Sequence, residues 1–552
     1  MKIGYVTSIS GAKISGILFN PTNKDIARQM ALATQIGAMV KMRTPESVVF
    51  GMISSLKTQN PSNLPTKADV RMVEIDLLGE SMDHNDKGKF TFQRGVSIYP
   101  RLSQLILSTT SSELAQIHAR PNSSTIKIGT IRQDRSLPSY LSIDDLFGKH
   151  FAILGATSSG KSCTVAVILQ SVLNAFPNGH VVLLDPHDEY ACAFGDLANV
   201  ITPERLQLTY WLLNFDEIVE VLCSPDTVNR KIEAAILKDA ITAAKKEFPG
   251  NKELAETLTV DTPVPYRLNR IIKFIHAAEG QLNRPEKAQH YMRLVSRIEH
   301  LQRDQRFSFM FTGPTPRDNM AELMSDILRI PGNQRPITIF SLAGLPSDIV
   351  DVVVSVLCRM IFDFALWSSN SDRIPALLVC EEAQRYVPRN GADGVNLANK
   401  SIGRIAKEGR KYGISLGLVT QRPTEISDDI LSQCSTLFAM RLSSKKDQNF
   451  IQAALPESAT GLIDLLPALR TQEVVVVGEA VNLPTIVRID DIVDSRCPQS
   501  YMYKISTSWQ NNSHPESLVS RTVDRWRRQL LTSTDGLCVE IKQPLGVGEG
   551  SC

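Results

Sequence analysis

Two hydrophobic rhythms divide this chain. Up to about Arg135, short runs alternate apolar with polar residues or are rich in Val, Ile and Thr. They are Ile3–Ser8, Lys13–Phe19, Ala38–Met42, Val48–Leu56 and Arg71–Leu78. Asn20-Pro21, Asn60-Pro61 and Asn85-Asp86-Lys87-Gly88 punctuate them. Short strands broken by such turn signals predict a small barrel or sandwich. From Asp145 the rhythm changes to compact apolar runs: Phe151–Leu154, Val181–Leu184, Ile337–Phe340, Ala376–Cys380, Leu416–Thr420 and Leu437–Met440, with Val474–Val477 a further candidate. Helical segments join them, the pattern of a parallel sheet covered on both faces.

Between the second and third of these runs lies a long insertion, roughly 202–334. Ile232, Ala235, Ile236 and Ala240 recur in it at helical spacing, as do Leu268, Ile271, Ile272 and Ile275. Near the end of the chain, Ser513-His514-Pro515-Glu516 has the form of a helix start. Val519, Val523, Trp526 and Leu530 would line one face of that helix, with Arg521, Arg525 and Arg528 opposite.

Composition narrows the class. The chain has 552 residues, 43% of them hydrophobic and 21% charged, which suits a globular protein of several units and excludes a disordered one. No apolar run is long enough to span a bilayer. Met1 to Asn20 interleaves Ser8, Ser10, Lys13 and Ser15 with apolar residues and lacks a secretory core, so a cytoplasmic location is expected. Nine cysteines are scattered with no Cys-x-x-Cys pair, the usage of a reducing compartment without a zinc site. Sixty basic residues against 58 acidic ones give a net charge of +2, so any nucleic-acid-binding charge must be concentrated locally.

The strongest chemical signal is Gly155-Ala156-Thr157-Ser158-Ser159-Gly160-Lys161-Ser162, followed by Cys163. It matches a P-loop and stands between an apolar run and a helical segment, the order that phosphate binding needs. Backbone N–H groups and a helix N-terminus would face the phosphates of ATP. Lys161 would neutralise the β- and γ-phosphates, and the Ser162 hydroxyl would ligate Mg²⁺. Ala376–Cys380 ends in Glu381-Glu382, two acids at a strand's carboxyl end. Glu381 would orient the Mg²⁺ shell while Glu382 polarises the attacking water. Gln421, closing Leu416–Thr420, could sense the γ-phosphate. The basic segment Gly403–Gly413 offers Arg410, or Arg404, as an arginine finger for a neighbouring subunit.

Taken together, these motifs resemble the HerA branch of the HerA–FtsK translocase ATPases. The resemblance runs through His150–Ser162, Leu184–Tyr190, Glu381-Glu382-Ala383, Glu408–Pro423 and Gly478–Pro484. It implies an α/β fold with a RecA-like P-loop ATPase core, a mostly parallel sheet, an N-terminal small β-barrel and an inserted helical subdomain. The corresponding boundaries are 1–135 for the barrel, 136–201 and 335–500 for the core, 202–334 for the insertion, and 501–552 for the C-terminal helix and tail. It also implies a homohexameric ring that hydrolyses ATP, translocates double-stranded DNA and works with a partner nuclease. A second reading is a hexameric scaffold that switches a defence effector, a nuclease or sirtuin-like NADase, with little translocation. Four positions depart from the family pattern: Ser158 and Asp188 stand where glycine is usual, Gln384 where histidine often follows the acids, and Glu381 where a shorter aspartate is usual.

Overall fold

The computed structural model describes residues 1–21, 23–59, 70–82, 91–202, 205, 208–280, 285–311, 316–345, 347–389, 396–454, 460–499, 509 and 517–527. Two compact units emerge. The first comprises Met1–Gly179, Leu377–Asn390 and Ile405–Ile492, and the second His180–Ala376, Gly391–Arg404 and Val493–Cys552.

The first unit begins with seven strands: β1 (Lys2–Ser10), β2 (Lys13–Leu18), β3 (Met39–Arg43), β4 (Ser47–Gln59), β5 (Val70–Met82), β6 (Thr91–Arg94) and β7 (Leu105–Ser108). They follow the order β2-β1-β7-β3-β4-β5-β6, and a further β2–β5 pairing closes six of them into a barrel. The alternating residues of these strands meet inside it, where Ile3, Val40, Ile75 and Ile106 have no exposed surface. Arg94 at the end of β6 donates to the carbonyls of Asn482, Gly478 and Val481 at 2.6, 2.8 and 2.9 Å, tying the barrel to the rest of the unit.

The larger sheet of this unit uses β8 (Thr125–Ile131), β9 (Pro138–Ser142), β10 (His150–Leu154), and the later β14 (Ala376–Cys380), β15 (Ile414–Thr420), β16 (Cys434–Ala439), β17 (Glu473–Gly478) and β18 (Thr485–Ile489). Their order is β14-β15-β10-β16-β17-β18-β8-β9. Strand β10 runs parallel to both neighbours, β15 and β16, and every residue of β10, β14 and β15 is buried. Burial on both faces is why these strands read as unbroken apolar runs. The sheet then turns antiparallel through β17, β18, β8 and β9. Val474–Val477 is therefore a core strand, but of opposite direction. The boundary expected at residue 135 falls between β8 and β9, both of them strands of this sheet.

In the second unit β12 (Ala198–Ile201), β13 (Ile337–Ser341) and β11 (Val181–Asp185) pair in parallel in that order. The stretch between β12 and β13 is mostly helical, with helices Phe215–Leu222, Thr227–Lys246, Leu268–Glu279, Pro285–Arg303 and Met320–Leu328. Glu217 of the first of these is buried and bound by Arg359 and by the Ser355 hydroxyl, at 3.1 and 3.0 Å, from helix Ser347–Trp367. Burying that carboxylate is tolerable because it is paired and hydrogen-bonded. Ser517–Arg527 is helical, with Val519 and Trp526 exposed; Ser513–Glu516, Arg528 and Leu530 lie outside the described residues, as do Asn60-Pro61 and Asn85–Gly88. Among the described residues no helix is long and apolar enough to cross a membrane.

His118 closes the short helix Ser111–Ile117, and burial pushes its imidazole down to about 4. The unfolded chain binds that proton near pH 6.5, so the stability the neutral ring contributes is present above that pH and lost as pH falls toward 4. Between pH 7 and 5 the loss should reach about 2 kcal/mol. Denaturant melts of the wild type and His118→Asn at both pH values check this, and equal pH dependence in the two would refute it.

Candidate nucleotide site

Strand β10 delivers the P-loop. Its register sets Leu154 beside Thr420 of β15 and Ala439 of β16, so three strands end together. The loop continues their ladders: Gly155 N–H donates to the Thr420 carbonyl at 3.2 Å, and Ala156 N–H to the Arg441 carbonyl at 2.9 Å. Helix Lys161–Ala175 follows at once, its N-terminus directed at the loop's concave side. A Cβ on Gly155 would lie 2.7 Å from the Ser159 hydroxyl and 2.8 Å from the Met440 Cβ. Gly160 has φ of +105°, beyond the range of ordinary side chains.

Ser158, one of the departures from the family pattern, has φ of +60°. It therefore keeps the left-handed turn that glycine makes easily. Asp188 does the same at +56° in the loop after β11. A non-glycine residue in that conformation carries backbone strain. Thr157 and Ser158 are exposed, and Ala156, Ser162 and Cys163 half-buried. Ser159 is buried, and its carbonyl accepts from Gln472 N–H at 3.0 Å. Lys161 is buried, with its ammonium 3.2 Å from the Ala156 carbonyl.

Glu381 and Glu382 follow β14 and are 4% and 8% exposed, values at which a carboxylate needs partners. Glu382 has φ of +51°, a strained conformation for a non-glycine residue, and begins the turn Ala383–Arg385. Its carboxylate accepts a hydrogen bond from the Gln384 side-chain amide, whose oxygen accepts from the Thr420 hydroxyl at 2.6 Å. Gln421, half-buried at the end of β15, accepts from the Thr157 hydroxyl at 2.6 Å and so touches the P-loop. The sequence marked Gln384 only as a departure and Thr420 only as the end of a run; their roles arise from strand register.

The two arginines differ. Arg404 lies in helix Leu397–Glu408, its guanidinium stacked on Phe362 at 4.2 Å and paired with Asp363 at 3.3 Å. Arg410 is exposed in the turn Gly409–Tyr412, just before β15. Six residue steps separate Ile414 from Thr420, roughly 20 Å of strand, so Arg410 sits at the far end from its own P-loop. The neighbouring His150 accepts from Leu416 N–H through Nδ1 at 2.9 Å, which leaves Nε2 to donate to the Ala406 carbonyl at 3.0 Å. Burial, with the Arg410 charge, holds its pKa below the usual value.

In the second unit, Asp185 ends β11 and is 1% exposed. Its carboxylate accepts from the backbone N–H groups of His187 and Tyr190 at 3.1 and 3.0 Å. Burial outweighs those bonds and pushes it up to about 6.

A phosphate cradle at the end of one strand, with a buried acid pair after another of the same sheet, defines a P-loop ATPase on a RecA-like core. Residues 126–361 match the family model for the central domain of helicase HerA. Over that stretch the chain is similar to the HerA-type ATPases. It is 25% identical over 496 residues to the DNA double-strand break repair helicase HerA of Pyrococcus furiosus, covering 81% of this chain and 86% of that one. The helicase of the same name from Sulfurisphaera tokodaii is 26% identical over 499 residues, covering 89% and 93%. Among solved structures, VirB4 of Thermoanaerobacter pseudethanolicus overlaps 68% of this chain and 98% of its own, at 17% identity and a TM-score of 0.47.

The backbone geometry makes a contrast testable. Ser158→Gly should leave ATP affinity within about twofold and stability unchanged or raised by up to about 1 kcal/mol, since relieved strain and added chain entropy oppose each other. Gly160→Ala should weaken ATP binding by tenfold or more, because its N–H groups must rotate out of line. Calorimetric titration with ATP and thermal melts distinguish the two.

Proposed function

We propose that this ATPase is a motor that assembles as a homohexameric ring and translocates double-stranded DNA, working with a partner nuclease or effector protein. The observation that carries the ATP half is the strained, buried Glu382 after β14, linked through Gln384 to the end of β15, the strand that pairs with the P-loop strand. The relatives' names as DNA repair helicases support the DNA half. Glu382 accepts the proton of the water that attacks the γ-phosphorus as the bond to the ADP oxygen breaks. Lys161 and the loop N–H groups stabilise charge on the phosphate oxygens, and Gln421 contacts the γ-phosphate side of the loop. Ser162 and the buried Glu381 fit Mg²⁺, which in such sites takes few protein ligands and several from nucleotide and water. Ser162 and Glu381 would hold such an ion, whose charge would offset that of the phosphates.

Arg410 extends the reading to the assembly. Its place at the opposite end of β15 keeps it from its own nucleotide, so as a finger it serves a neighbour's. Mixed rings of Arg410→Ala and Lys161→Ala chains should then recover activity at interfaces that join an intact finger to an intact P-loop. Absence of recovery in rings of normal mass would exclude action in trans.

Glu382→Gln should lower kcat by about 10²-fold or more while ATP still binds, whereas Lys161→Ala should lose binding. Wild-type turnover should rise with linear duplex DNA, and that rise should shrink with salt as phosphate contacts are screened. Turnover indifferent to DNA but altered by a partner protein would favour the scaffold reading. The near-neutral charge of +2 is what keeps that alternative in view. A ring needs positive charge only on pore-facing loops, so strong DNA binding is expected of the assembly and not of the single chain.

A further inference from the structure

We infer that Gln384 is a positioning residue for Glu382, itself oriented by Thr420, so that one residue of β15 holds both the P-loop and the hydrolytic carboxylate. This rests on the reading of Glu382 as the group that activates water.

Donor and acceptor inventory fixes the arrangement. The Thr420 hydroxyl accepts from Arg422 N–H at 3.0 Å, which leaves its own proton to donate. That proton goes to the Gln384 side-chain oxygen at 2.6 Å. With its oxygen so occupied, the Gln384 amide must present N–H to Glu382, and an ionised carboxylate can only accept. Each member thus determines the direction of the next. Thr420 has no exposed surface and Gln384 is half-buried, so water competes little for these bonds.

The same Thr420 reaches the P-loop through its main chain, its carbonyl accepting from Gly155 N–H at 3.2 Å. The next residue, Gln421, binds Thr157 of the loop. A displacement of the loop at this strand end is therefore transmitted through Thr420 to Gln384 and Glu382. Gln384 engages one carboxylate oxygen, Oε2, and leaves Oε1 for water. Turning Glu382 freely about its side-chain bonds would misplace that oxygen. A neutral imidazole at position 384 carries one donor and one acceptor, so it can make the same two bonds.

Steady-state ATPase kinetics, ATP binding by calorimetry and thermal melts on the full chain test this. Gln384→Ala should lower kcat about 10- to 100-fold with KM and ATP affinity within about twofold, as expected for misplacement of a reacting group. Thr420→Val should give a similar but smaller loss, and Thr420→Ser should restore most of it. Gln384→His should retain most activity at pH 8. The double variant Gln384→Ala/Thr420→Val should be no worse than Gln384→Ala alone, the signature of residues acting in series. If Glu382→Gln stops turnover but Gln384→Ala leaves kcat within twofold, the relay is wrong and the role of Glu382 stands. Turnover surviving in Glu382→Gln would instead overturn both. Should Gln384→Ala not fold, Thr420→Val against Thr420→Ser decides, and equal rates in those two refute the relay.

Discussion

Hydrogen bonding of β10 along both edges is the constraint from which the site follows. With β15 on one side and β16 on the other, the strand cannot slide or tilt without breaking two ladders. The first loop residues spend their amides on the ends of those neighbours, and Met440 N–H returns to the Leu154 carbonyl at 2.7 Å. The backbone is thereby committed up to Ala156 and pinned again at Ser159, whose N–H donates to the Ala156 carbonyl at 3.2 Å, so the curl between is preformed. A phosphate entering it meets donors already in position, so little reorganisation is needed at the moment of reaction.

Fixing the frame so firmly brings charge into dry surroundings. Lys161, Asp185, Glu381 and Glu382 are all under a tenth exposed. Each partner that can be seen is short-range and local in kind: a loop carbonyl for Lys161, two turn amides for Asp185, a glutamine for Glu382. The Gln384 amide on Glu382 and the turn amides on Asp185 are neutral dipoles. Dipoles hold a carboxylate in place while leaving its charge available to a proton or a cation, which an arginine pairing would largely cancel.

Much of this was legible along the chain because its physics is local. Fully buried parallel strands give continuous apolar runs, so β10, β14 and β15 stood out, and the residues at their carboxyl ends followed. Lys161, Ser162, Glu381 and Glu382 are positioned by a few neighbours in sequence. The antiparallel direction of β17 was not legible, because a run of valines reports burial and not orientation. Strand β8, Thr-Ile-Lys-Ile-Gly-Thr-Ile, alternates much as the barrel strands do, so its place in the larger sheet is not marked by its pattern. Gln384 and Thr420 come together only through the folding of one strand end against another segment. Ser158 and Asp188 read as losses of glycine, yet both adopt the left-handed backbone that glycine favours.

Strand edges carry a last consequence. Closing β2 onto β5 removes the two edges that a six-stranded sheet would expose, and leaves only the four-residue β6 outside the closure. At the far side of the larger sheet the terminal strand is β9, five residues long and opening with Pro138, which has no N–H to offer. Short or proline-blocked edges are poor templates for an incoming strand. Chains of this kind can be crowded together at high local concentration with little risk of joining sheet to sheet into aggregates. Association is then left to side-chain surfaces, where it can be specific and reversible.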